Sequence, residues 1–293
     1  MFDLRYHVAS LAAVFFALVI GILVGVALAS HGLGNAERRN LQDDLARARS
    51  QIDQLKGAVQ EDTADTKFVA GAYDAVMASR LKGERVAVLF IGPVDNSLRS
   101  AITTTLSDAG ATMVRLRSVS VPINGHTVES VLAKRTALAA YAFGPARWKN
   151  IGRELADEFV AGGATPLWDA LEAHLVEERI GAARRAADAV VVVRTAPPQI
   201  EHATSQIVAS LFRELSKSSI PAAGAELRGT FPSAVQTYRH FGLSSVDDLD
   251  LPIGRVALAV LLSPDGITGH YGLQDVDDAV LPQIPPVTSV VGG

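Results

Sequence analysis

From residue 8 to residue 29 the chain carries 22 consecutive uncharged, mostly apolar residues. A helix of that length reaches roughly 33 Å at about 1.5 Å per residue, so a transmembrane segment is predicted within 1–30. Inside the run, Ala9, Ala13, Ala17, Gly21, Gly25 and Ala29 recur at every fourth position, with Gly21 and Gly25 as a GxxxG pair. Small side chains on one face let two helix backbones approach closely in lipid, where packing drives association. Ala17, Gly21 and Gly25 are therefore the expected contacts of a helix pair. Ala27-Leu28-Ala29 also fits a signal-peptide cleavage pattern. An uncleaved anchor is expected instead, because the run exceeds the usual stretch of about 7–15 residues and only Arg5 and the amino terminus precede it. Arg5 on one side and Arg38, Arg39, Arg47 and Arg49 on the other give no usable orientation, since long domains translocate regardless of such counts.

Beyond His31-Gly32-Leu33-Gly34 the period changes. Leu41, Leu45, Ala48, Ile52, Leu55 and Val59 are spaced by alternating steps of four and three, the 3.5-residue repeat of a coiled coil. Asp62 and Thr66 fall on the same positions and weaken the core, which resumes in phase at Val69, Tyr73 and Val76. A dimeric coiled coil is expected over 35–82, with Leu41, Leu45, Ile52, Leu55 and Val59 in its core. It would be parallel, because both helices are tethered at one membrane end. An amphipathic helix packed on its own domain would produce the same pattern. From 35 to 77 a continuous helix would make a rod of roughly 65 Å.

A third pattern begins after Gly83. Residues 85–91 (RVAVLFI) are continuously apolar and run into Gly92-Pro93, as a strand buried on both faces reads. Asp95, Asn96 or Ser97 can cap a helix to about Ala109, which Gly110 stops. Strands are predicted at 112–116, 188–194 and 220–225, with helices at 151–160, 169–187, 200–217 and 256–262. Strands alternating with helices imply an α/β head over 84–282 with a Rossmann-like, mostly parallel sheet and right-handed crossovers. Residues 283–293 show no periodic pattern and read as a flexible tail.

Composition narrows the function. A net charge of −4 provides no basic footprint for nucleic acid. The absence of cysteine excludes disulfides, thiolate metal sites and thiol chemistry. One transmembrane helix encloses no pore, and the remainder lacks the repeated strands of about ten residues that an outer-membrane barrel needs.

No catalytic constellation is legible. The first strand–helix turn, Gly92-Pro93-Val94-Asp95-Asn96-Ser97, has neither GxGxxG nor GxxxxGK[ST]. Pro93 removes a backbone donor and Asp95 puts a carboxylate where a phosphate would sit, so the expectation is a nucleotide fold without its ligand and with no cofactor. GxSxG and HExxH are absent. The seven histidines are scattered, and Met1, Met77 and Met113 lie far apart, so no soft Cu(I) ligand set is evident. Asp247-Asp248-Leu249-Asp250 lacks Ca²⁺-loop spacing and reads as N-capping ahead of Pro252.

The N-terminal MFDLRYHVASLAAVFFALVIGILVG and the C-terminal SSVDDLDLPIGRVALAVLL, followed by GHYG and VLP, resemble the actinobacterial MctB family. That family is labelled a copper transport outer membrane protein and includes the corynebacterial cell-separation protein SteB. The resemblance implies an envelope protein and, for the SteB branch, a membrane-anchored homodimer acting with the membrane protein SteA to control a peptidoglycan hydrolase. It supplies no catalytic or metal-binding residue. The expected protein is a single-pass, non-enzymatic scaffold of cell-envelope remodelling, with its N-terminus cytoplasmic and its head extracytoplasmic. Copper transport in the envelope is the alternative.

Overall fold

The computed structural model describes residues 13–27, 71–181, 185–274 and 278–285. The chain divides into two units, 1–67 and 68–293. In the first, 13–27 is a helix whose residues are all exposed. Ala17, Gly21 and Gly25 lie on it, and nothing comes within 4 Å of a Cβ built at either glycine. Among the described residues no helix is long and apolar enough to cross a membrane. The rest of the predicted span lies outside the described residues, as do Leu41, Leu45, Ile52, Leu55 and Val59.

The second unit is α/β. It is entered through a helical turn at 71–77. Seven strands follow: β1 (Arg85–Ile91), β2 (Thr112–Val119), β3 (Val176–Ile180), β4 (Ala189–Arg194), β5 (Ala222–Ala225), β6 (Ser244–Val246) and β7 (His270–Tyr271). The helices are α1 (Asn96–Asp108), α2 (Gly125–Ala133), α3 (Arg147–Ala161), α4 (Pro166–Leu175), α5 (His202–Lys217), α6 (Val235–Phe241) and α7 (Pro252–Leu261). The strands form one sheet in the order β3-β2-β1-β4-β5-β6-β7. Every neighbouring pair is parallel except β2 with β3.

Both faces of the sheet are covered, which is why β1 and β4 read as unbroken apolar runs. Ala87, Leu89 and Ile91 join one core with Val190, Val192 and residues of α2 to α6. Val86, Val88 and Phe90 join the other with Val191, Val193, α1, α7, Met77 and Leu81. Asp95 is the N-cap of α1 and accepts from Leu98 N at 2.9 Å, and Ala109 is its C-cap, as the sequence predicts. The start of β1 is fastened to the start of β4 by a bidentate pair. Arg85 donates through Nε to Asp188 Oδ2 at 2.7 Å and through a terminal nitrogen to Oδ1 at 2.5 Å.

Three expectations change. The helix predicted at 169–187 ends at Leu175, where the chain reaches the open edge of β2 and pairs antiparallel as β3. The N-cap of α7 is Leu251, without a side-chain bond. The acidic run before it is used elsewhere: Asp247 accepts from Leu273 N at 3.0 Å and Asp250 from Arg228 N at 2.9 Å. Asp248 is fully buried against Gly254, where a Cβ would lie 2.3 Å from its carboxylate. Tyr73 and Val76, in phase with the heptads, pack against the second core of the head. Of the expected tail, Pro285 is held by Arg80, whose guanidinium donates to its carbonyl at 3.2 Å.

Candidate functional site

In a sheet of this order the connections leave β1 and β4 in opposite directions, α1 on one face and α5 on the other. Ligands of doubly wound folds bind in the crevice that such a reversal opens beyond the carboxyl ends of the strands. Here the turn after β4 is fastened onto the end of β1. Thr195 N and Ala196 N both donate to Ile91 O at 3.0 Å, and Thr195 Oγ1 donates to Pro93 O at 2.7 Å. Gly92, at φ +105°, lies so close beneath this turn that a Cβ would meet Ala196 Cβ and N at 2.7 Å. The Asp95 carboxylate takes the N-terminal turn of α1, where an anion would otherwise be drawn by the helix dipole.

Above this turn, at the carboxyl ends of β1 and β4, lies an open groove of about 570 Å³. Pro93, Val94, Asp95 and Leu98 line one side, Arg194, Thr195, Ala196 and Pro197 the middle, and Leu227, Thr230, Phe231 and Pro232 the other side. Phe231 is 96 % exposed, as is Ile200 in the neighbouring turn. The 231–234 wall is braced from below. Arg194 donates to Pro232 O, Ser233 O and Thr237 Oγ1 at 2.9–3.2 Å. The buried Glu226 accepts from Ser233 Oγ at 2.5 Å, Ala234 N at 2.7 Å and Gln274 Nε2 at 2.9 Å. Tyr238 Oη accepts from Arg194 N at 2.9 Å, and burial holds its phenol well above the ordinary range. This is a rigid rim carrying exposed apolar side chains. The sequence shows it only as turn residues around Pro197-Pro198 and Phe231-Pro232, too short and aperiodic to mark a surface.

The head's other polar cluster is closed. Ser245 Oγ and His270 Nδ1 are 2.8 Å apart, but both residues are buried and burial lowers the imidazole's pKa. Asp278 bonds the backbone N–H of His270 rather than its ring. A nucleophile so placed meets no substrate. Among the described residues no group of three or more His, Asp or Glu could hold a metal ion. Met77 is core and Met113 packs against that core.

The head is thus a doubly wound α/β fold on one mostly parallel seven-stranded sheet. Sequence comparison then identifies the lineage. The model of the MctB family, described as copper transport outer membrane protein, matches residues 1–282, and the chain belongs to that family. No curated protein matches the chain.

Proposed function

We propose that the protein is a membrane-anchored, extracytoplasmic homodimer that acts as a scaffold or regulator of cell-envelope remodelling, in the manner of SteB with SteA and a peptidoglycan hydrolase. The observation that carries this reading is the helix at 13–27. Ten of its large apolar side chains, from Val14 to Val26, are 38–69 % exposed. Apolar surface that extensive requires a lipid or protein environment, and the same helix carries Ala17, Gly21 and Gly25 for pairing. The groove at the sheet edge, with Phe231 exposed on its braced rim, supports a binding role. The family's description favours a second reading, copper handling in the envelope, on its wording alone.

Fusion of an export-dependent phosphatase after Gly293 tests the topology, and in-cell crosslinking tests the partners. Phosphatase activity together with capture of a second copy and of a cell-wall enzyme or its regulator is the expected result. An inactive fusion with a fluorescent cytoplasmic counterpart overturns it. Stoichiometric copper binding tighter than about micromolar, by calorimetric titration of the purified protein, makes the second reading the leading one.

A further inference from the structure

The chain enters the head and reaches its last described residues at the same place. Arg80 donates through Nε to Val76 O at 3.0 Å and through a terminal nitrogen to Pro285 O at 3.2 Å. One guanidinium thus joins the entry segment 71–80 to residues 205 positions away. We propose that residues 278–285 are a strap that clasps the entry segment to the head, and that this clasp opens while the sheet stays folded.

The strap's other end is fastened to the edge of the sheet. Asp278 Oδ2 accepts from His270 N at 2.9 Å, its N–H donates to His270 O at 2.8 Å, and Oδ1 pairs with Arg239 at 3.0 Å. Gly272 N donates to Ala279 O at 3.1 Å. Between its two ends the strap is thin. Pro282 is buried and Leu281 packs against the same core as Tyr73 and Val76, but Ala279, Val280, Gln283 and Ile284 are exposed. Local opening is easiest where buried apolar contacts are few and backbone bonds face solvent. The strap is such a place, whereas β1 and β4 lie at the opposite extreme.

The entry segment is built to move with it. Ser79 sits at φ +61°, a left-handed conformation strained for any residue with a Cβ. On the far side of Ser79 the chain is held independently of the strap: Leu81 N donates to Ala109 O at 2.9 Å and Gly83 N to Gly110 O at 3.1 Å. On the near side, Tyr73 Oη donates to Asp108 Oδ2 at 2.7 Å in an exposed contact, and little besides Met77 is buried. Opening the strap leaves 80–91 seated and frees 71–78, which Arg80 otherwise holds through Val76 O, to move about Ser79 as Met77 leaves the second core. The joint between entry helix and head is then rigid when clasped and hinged when open.

Amide hydrogen exchange on the full chain in detergent micelles tests this with two variants. Arg80→Met keeps the aliphatic stem and removes both donated bonds, and truncation after Gln274 removes the strap. Both should accelerate exchange across 71–80 by at least about tenfold while 81–91 and 189–194 stay within about twofold of the unaltered protein. Unchanged exchange across 71–80 overturns the proposal. So does an equal rise at 189–194, which would make the strap part of the cooperative core. Should the truncated chain fail to fold, Arg80→Met decides alone.

Discussion

Gly92 shows how a single backbone position settles a question that composition leaves open. The residue types of the first turn predict poor phosphate binding, but only the structure shows how closely Thr195 and Ala196 pack over Gly92. The close fit has a consequence. A Val at position 92 would have to leave φ +105° and displace Ala196 from 2.7 Å, combining backbone strain with overpacking at about 2–4 kcal/mol. Gly92→Val should lower the urea midpoint accordingly, followed by the fluorescence of Trp148 and Trp168, both in the head. An unchanged midpoint would mean that the 195–196 turn yields easily and that the crevice can open. Glu158 teaches a related lesson. This charged residue of α3 is buried and accepts from Leu167 N and Trp168 N at 2.9–3.1 Å, capping the next helix from outside. No spacing rule reports a cap that comes from a different element.

Among the elements, those with long periodic signals are legible and the short ones are not. Strands 85–91 and 188–194, the α1 helix with its Asp95 cap, and the 200–217 helix all lie within a residue or two of their predicted bounds. Strand β3 is different. VEERI continues a helical pattern, and it becomes a strand because β2 offers unpaired backbone groups that a further helical turn would leave unsatisfied. Strands β6 and β7, three and two residues long, have no periodicity to read and exist through pairing alone. Pairing at the start of β1 and β4 also introduces a pH dependence. Bonding to Arg85 depresses the Asp188 carboxyl below its ordinary value, so its contribution is complete above about pH 4 and is lost as pH falls through the depressed value. Asp188→Asn should therefore destabilise the head at pH 6, and the gap between the two proteins should narrow below pH about 4 in matched denaturation curves. A gap that is constant with pH would assign the effect to packing rather than charge.

At the scale of the molecule, the proposal of a parallel dimer makes a direct demand on the 35–70 region. Ile52→Asp would place a carboxylate in a dry helix seam and should cost several kcal/mol of association, on the order of the penalty for an unpaired buried charge. Sedimentation of the full chain in detergent, with and without the substitution, measures it. A monomeric unaltered protein, or a dimer indifferent to Ile52→Asp, removes the coiled coil from the account.

The chain's hydrophobic periods alone establish an apolar N-terminal helix, a heptad stretch and an α/β head, because period and length are local properties that burial imprints on the sequence. Tertiary structure decides what the order of residues does not encode locally. It brings Thr195 over Gly92, sets Phe231 on a rim braced by Arg194 and Glu226, and joins Arg80 to Pro285. Most of these contacts join residues tens to hundreds of positions apart, and only the packing of layers on one seven-stranded sheet determines which of them meet.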